Sequence, residues 1–88
     1  MARQLEWISV KPEVFEKECN IAYIKGLKLT TDIEGYYQVS LPNYNNGKWK
    51  YSIWYGNRGF EFSRDIESKE TAIKLCQQHF DEFIKINS

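Results

Sequence analysis

The sequence has no net charge, few cysteines and no long apolar segment. Its 88 residues include 12 Lys or Arg and 12 Asp or Glu, so the strong positive field that drives non-specific nucleic-acid binding is absent. Two cysteines are too few to indicate a disulfide framework. No apolar run approaches the roughly 18 residues of a membrane span, and the first residues lack the apolar stretch of a signal peptide. We therefore expect a cytoplasmic protein with free thiols and no membrane contact.

The composition that remains is that of one folded domain. Apolar residues make up 42% of the chain and aromatic residues 16%, against 27% charged, which distinguishes it from disordered sequences. A chain of this length fits one domain and buries only roughly 60% of the surface that its unfolded form exposes. The aromatic side chains must therefore supply much of the core, and little room is left for a deep active site.

The C-terminal segment has the spacing of an amphipathic helix. Apolar residues recur at steps of one, three and four from Ser68 onward, which predicts a helix from about Lys69 to Lys85 with one stripe facing the core. Ser68 suits the N-cap position, and Glu70 complements the positive end of the helix dipole. The stripe consists of Ala72, Ile73, Cys76, Phe80, Phe83 and Ile84.

Segments with a two-residue period precede this helix and predict strands. In the clearest of them, aromatic and aliphatic side chains at odd positions 49–55 alternate with more polar ones at even positions, as in a strand with one buried face. Asn46 and Gly47 predict the turn before this strand, and residues 56–59 predict the turn after it. The predicted strands are residues 20–30 with a bulge at Gly26, residues 36–41, residues 48–55, and a strand that begins at Phe60.

These elements predict an α+β domain in which an antiparallel four-stranded meander carries the C-terminal helix on one face. Asp32, Glu34 and Gly35 supply a turn between the first two strands. Pro12 can open a short N-terminal helix through Phe15 and Glu18, because proline suits the first helical position. Nothing in the sequence sets the oligomeric state.

Residues suited to catalysis or metal binding are few. Cys76 and His79 are three residues apart on the predicted helix. With Cys19 they could be read as a metal site, and the pair alone could be read as a nucleophile and base. A structural zinc site needs four ligands, however, and Cys76 lies on the apolar stripe, where a small hydrophobic residue is expected. The sequence also lacks a phosphate-binding loop, a serine nucleophile elbow and an HExxH helix. We expect no enzyme activity, no cofactor and no metal.

The candidate site is the sheet face that points away from the helix. If the odd positions of the central strand face the helix, the even positions must face away, beside Tyr36 of the neighbouring strand. Residues 25–59 carry five basic and two acidic side chains, a local excess of three positive charges. The predicted contact residues combine aromatic and cationic side chains: Tyr36, Lys48, Lys50, Trp54 and Arg58.

Three interpretations of this face stay open. Aromatic and cationic side chains are enriched at the energetic centres of protein interfaces, which favours a protein or nucleoprotein partner. The same side chains can stack on bases and neutralise phosphates, which favours nucleic acid. The third interpretation is an ordinary sheet surface on which the segment around Leu5, Trp7 and Ile8 covers Trp54.

The order of elements from Gly35 to Phe83, with the helix entry at residues 67–73, resembles the three-stranded DNA-binding domains of phage-type integrases and the plant AP2 group. The central strand departs from that family in offering only Lys48 and Lys50 as basic residues. In size, aromatic content and βββα order the whole chain is also similar to compact accessory proteins of phages and mobile elements, some of which are anti-CRISPR inhibitors. The second resemblance implies a non-catalytic protein that blocks or modulates a larger assembly, and the first implies a nucleic-acid-binding module.

Overall fold

A computed structural model describes residues 4–24, 35–55 and 57–87 and forms one five-stranded antiparallel sheet with a C-terminal helix. Each strand pairs with the next strand along the chain. No helix in these ranges is long and apolar enough to cross a membrane. The elements are β1 (Trp7–Val10), β2 (Glu16–Ile24), β3 (Gly35–Pro42), β4 (Trp49–Tyr55), β5 (Arg58–Ile66) and α1 (Lys69–Asn87).

The α+β class and the C-terminal helix are confirmed, but the prediction of four strands is wrong. The additional strand is β1, which pairs antiparallel with β2 from Trp7 opposite Ala22 to Val10 opposite Cys19. A four-residue edge strand carries too short an alternation to be recognised in a sequence.

The predicted N-terminal helix is also wrong, because Pro12 lies in the connection between β1 and β2. The chain turns at residues 14–15, and β2 begins at Glu16, four residues before the predicted start. Glu16 closes this turn twice: its N–H donates to the Glu13 carbonyl at 2.9 Å, and its Oε1 accepts from the Glu13 N–H at 3.1 Å. The preference of Pro12 for a helix start is therefore overridden, because the flanking segments pair within the sheet. The Gly26 bulge, the end of the predicted strand at Thr30 and the turn residues Asp32 and Glu34 lie outside the described residues.

The turn between β3 and β4 forms where the Asn-Gly pair predicts it. Asn46 and Gly47 have φ angles of 52° and 76°, in the left-handed region that these two residue types tolerate. The preceding Asn45 fixes the turn, since its Nδ2 donates to the Lys48 carbonyl at 2.9 Å and to the Arg64 carbonyl at 2.6 Å. The second of these bonds ties the turn to β5.

Helix α1 covers one face of the sheet and closes the core. Its first turn is capped as predicted, with the Thr71 N–H donating to Ser68 Oγ at 3.2 Å. The helix begins at Lys69 and ends at Asn87, two residues beyond the predicted end, and the Ile84 side chain lies outside the described part. The buried core combines its stripe with residues from β2, β3 and β4 and from the segment before β1: Leu5, Ala22, Ile24, Tyr37, Val39, Ile53, Ala72, Cys76 and Phe80.

Strand β5 is irregular along its pairing with β4. Arg58 to Glu61 pair residue by residue, but Phe62 is an extra residue between Glu61, which lies opposite Ser52, and Ser63, which lies opposite Tyr51. A second irregularity precedes Ile66, which lies opposite Trp49. Each bulge reverses the alternation of faces that a regular strand would show.

Candidate functional site

The face of the sheet opposite α1 is the candidate site, and we call it the outer face. Cross-strand partners share a face, so the pairing defines three rows of side chains that run across the strands. The rows are Tyr23, Tyr36, Trp54 and Gly59; Ile8, Ile21, Gln38, Ser52 and Glu61; and Val10, Cys19, Ser40 and Lys50.

The first row is aromatic. The Tyr23 and Tyr36 rings meet edge to face with centroids 5.9 Å apart, and the Tyr36 and Trp54 rings are stacked at 6.4 Å with planes 14° apart. The row ends at Gly59, where the Trp54 indole lies against the strand so closely that a Cβ at this position would approach it to 2.7 Å. Trp54 Nε1 donates to Ser52 Oγ at 3.2 Å, which fixes the orientation of the indole. The absence of a side chain at Gly59 therefore leaves the space that the Trp54 indole occupies.

The floor of the outer face is buried although no described helix or strand lies over it. Cys19, Ile21, Ser40 and Ser52 are each less than 9% exposed. At the edge of this floor the Lys50 ammonium lies over the Phe15 ring, 5.9 Å from its centroid. Ser40 Oγ is fully buried and has no hydrogen-bond partner in the described structure.

The structure brings together three of the five predicted contact residues. Tyr36, Lys50 and Trp54 lie on the outer face, as the alternation of the central strand predicts. Lys48 precedes β4 and forms an ion pair with Glu67, which raises the pKa of Lys48. Arg58 lies opposite Tyr55, a residue packed against the core. Arg58 therefore lies on the face of the sheet that α1 covers.

Lys48 and Arg58 are therefore not grouped with Trp54. The prediction extended the strand alternation through residues that lie at turns, where the pairing and the neighbouring charges decide the position of a side chain. Participation of the other three residues in binding stays a prediction.

Residues missed from the sequence enlarge this surface. Ile8 and Tyr23 are 48% and 44% exposed, and Phe15 is 48% exposed at the edge of the face. Tyr23 and Ile21 are both at odd positions of the predicted strand 20–30, and the sequence alone does not indicate whether odd or even positions face the helix. Pairing decides this, since Ala22 and Ile24 belong to the core and Tyr23 lies opposite Tyr36.

The residues considered for metal binding or nucleophilic catalysis are separated by the sheet. Cys19 lies on the outer face, whereas Cys76 is packed in the core under α1. Burial raises the pKa of Cys19 to about 11 and that of Cys76 to about 12, so both thiols stay protonated at neutral pH. Across the described residues no group of three or more His, Cys, Asp or Glu could hold a metal ion.

His79 has a structural partner instead. Its Nδ1 lies 2.6 Å from the Tyr37 hydroxyl, and the two rings meet edge to face. Burial raises the pKa of Tyr37 and lowers that of His79, which favours the neutral form of both groups. The pair fastens α1 to β3.

Comparison with known proteins gives no relatives for this chain: no family model, no curated protein and no solved structure matches it. The resemblances to integrase and AP2 domains and to anti-CRISPR inhibitors therefore stay predictions. The functional inference depends on the geometry of the outer face alone.

Proposed function

We propose that the protein is a non-catalytic binding protein that blocks or modulates a larger protein or nucleoprotein assembly through the outer face of its sheet. The observation that supports this most is the row of Tyr23, Tyr36 and Trp54 on the face that α1 leaves uncovered. Aromatic side chains provide large contact areas at low entropic cost, and they are enriched among the residues that dominate binding energy. Exposed Ile8 and Phe15 extend the apolar part of this surface.

The charges on the outer face favour a protein surface over nucleic acid as the contact. The three rows contain one cation, Lys50, and one anion, Glu61. Each phosphate contact needs a positive group, and affinity for nucleic acid increases with the number of such contacts. With Lys48 paired to Glu67 and Arg58 on the helix-covered face, the predicted basic cluster is reduced to a single side chain.

Matched baits test the proposal. Wild-type protein, a Tyr23→Lys variant and a Tyr44→Lys variant are immobilised and exposed to extract of the native host. Tyr23 and Tyr44 are both exposed, but Tyr44 lies in the turn after β3, outside the three rows. We expect wild type and Tyr44→Lys to retain a protein that Tyr23→Lys loses, with all three baits showing the same circular dichroism spectrum. Equal retention by all three baits would contradict the proposal.

The nucleic-acid alternative is distinguished by salt. Tryptophan fluorescence of the wild type is titrated with a single-stranded oligonucleotide at about 50 mM and about 200 mM salt. The proposal predicts no saturable change at either concentration. A saturable signal that weakens steeply with salt, and that Lys50→Glu abolishes, would establish the nucleic-acid module instead.

A further inference from the structure

Strand β5 forms the longer of the two sheet edges. Among the described strands it pairs with β4 alone, so the other side of β5 has no strand partner in the described part of the chain. It has nine residues and contains no proline, whereas the opposite edge, β1, has four residues and is followed closely by Pro12. Of the two edges, β5 is therefore the one long enough to pair with another chain.

Two phenylalanines make this edge apolar on the helix side. Phe60 lies opposite Ile53 at the end of a buried row, but its side chain is 58% exposed because it lies at the margin of the sheet. The Phe62 ring stacks on the Tyr51 ring with centroids 5.1 Å apart, and its centroid lies 4.8 Å from that of the His79 ring. Phe62 is still 38% exposed. Single exposed apolar residues are ordinary, but these two lie close together on an unpaired strand edge, where a second strand can cover them.

The charges of β5 change sign along the strand, in the order Arg58, Glu61, Arg64 and Asp65. Glu61 and Arg64 pair within the strand at 2.8 Å. Arg58 makes no ion pair with any residue that the structure describes. A strand with this order meets opposite charges when it pairs antiparallel with a copy of itself, because the positive end of one strand lies beside the negative end of the other.

The order of charges along β5 favours one register. Arg58 and Phe60 precede the bulge on the helix-covered face, and Ser63 follows it on the same face. An antiparallel pairing that places Arg58 opposite Asp65 of a second copy also places Phe60 opposite Ser63 of that copy, and both Phe60 and Ser63 lie on the helix-covered face. The two-fold axis then passes between Glu61 and Phe62, and each charge match occurs twice.

We propose that the β5 edge is a dimerisation surface on which a second copy of this chain adds its own β5 antiparallel. The result is a continuous ten-stranded sheet, in which Phe60 of each copy is covered at the junction. The outer faces of the two copies lie on the same side of this sheet, so the dimer presents two aromatic rows to a partner.

Sedimentation equilibrium from about 10 μM to about 1 mM tests the association. We expect wild type to approach twice the chain mass of 10.5 kDa, and Phe60→Lys to remain at the chain mass because it places a charge at the junction. Val14→Lys is the matched control: Val14 is almost fully exposed in the turn before β2, and its substitution should leave the dimer intact. Wild type that stays at the chain mass throughout the range would overturn the proposal.

A charge exchange tests the register and does not depend on Phe60. Arg58→Asp and Asp65→Arg should each weaken the dimer by about tenfold, because each places two pairs of like charges across the axis. The double variant should restore wild-type affinity. Within one chain these residues lie about 23 Å apart along an extended strand, so only pairing between chains explains a rescue. A dimer that survives Phe60→Lys, or one that the double variant does not restore, would overturn the assignment to β5.

Discussion

The two faces of the sheet use aromatic residues in different ways. On the helix-covered face Tyr37 and Phe80 are buried, and their rings meet edge to face at 6.2 Å within the core. On the outer face Tyr36 and Trp54 are half-buried and stack on each other with no described element above them. The comparison shows that the aromatic side chains of one face build the core with α1, whereas those of the other face stay partly open to water.

The largest expected difference is between substitutions on the two faces. Phe80→Ala should reduce the free energy of unfolding by about 3–5 kcal/mol, because it leaves a cavity between α1 and the sheet. Tyr23→Ala on the outer face should reduce it by less than about 1 kcal/mol, since this residue is already 44% exposed. Urea unfolding of both variants measures the difference. Similar losses would show that the outer face contributes to folding as much as the core does.

The next largest effect is expected at the contact between the Trp54 indole and Gly59. Gly59→Ala should destabilise the protein by about 1–3 kcal/mol, because the new methyl group would lie 2.7 Å from the indole and force it to move. In a Trp54→Ala background the same substitution should be neutral or stabilising, since glycine is unfavourable within a strand. A double-mutant cycle by thermal or urea unfolding measures the coupling. Equal effects of Gly59→Ala in both backgrounds would contradict the observed contact.

A smaller effect is expected from one hydroxyl in the core. Tyr37→Phe removes the 2.6 Å hydrogen bond to His79 and should reduce the free energy of unfolding by about 1 kcal/mol. Tyr36→Phe on the outer face is the matched control, and its hydroxyl should cost less to remove because Tyr36 is only half-buried. Urea unfolding at pH 7.5 compares the two variants. A larger loss for Tyr36→Phe would reverse the expected order.

The pH dependence of stability should come from the same pair. Burial lowers the pKa of His79 below 6.5 in the folded protein, so the unfolded chain binds the proton first as the pH falls. The free energy of unfolding should therefore be constant just above pH 6.5 and decrease below it. His79 is the only histidine, so His79→Gln should flatten the curve between pH 7 and pH 5.5. An unchanged slope in this variant would assign the dependence to other groups.

A second, lower window belongs to Glu18. Hydrogen bonds from Lys69 and Asn20 lower the pKa of this carboxyl below 4.5, so its contribution is present above that pH and is lost as the pH falls further. Glu18 forms an ion pair with Lys69 in the first turn of α1. Acid should therefore weaken the attachment of the start of α1 to β2, in addition to the attachment at His79.

The elements with long, regular patterns could be predicted from the sequence, and the short or irregular ones could not. The spacing of Ala72, Cys76 and Phe80 predicts α1 and its buried stripe, and the alternation of residues 49–55 predicts which side of β4 meets the helix. Strand β1 is too short to show a period, and Pro12 gives a helix signal that the sheet overrides. The extra residue Phe62 breaks the alternation in β5, and only the pairing with β4 shows this.

The candidate site follows the same division. Tyr36, Lys50 and Trp54 lie within regular strands, so alternation places them correctly on the outer face. Lys48 and Arg58 lie next to turns, where Glu67 binds one and the register assigns the other to the opposite row. Ile8 and Phe15 reach the site because β1 and its turn fold beside β2, a long-range arrangement that no local pattern records.

The consecutive order of the five strands has a consequence for how the chain folds. Every described strand pairs with its immediate successor, so each pairing joins segments that are close in the sequence, and the entropy of loop closure is lost in small steps. Among the side-chain hydrogen bonds of the described residues, the Leu5 N–H bond to Gln77 Oε1 spans 72 residues and joins the segment before β1 to the helix. Hairpins should therefore form early in refolding, and the docking of Leu5 against α1 should be among the last events.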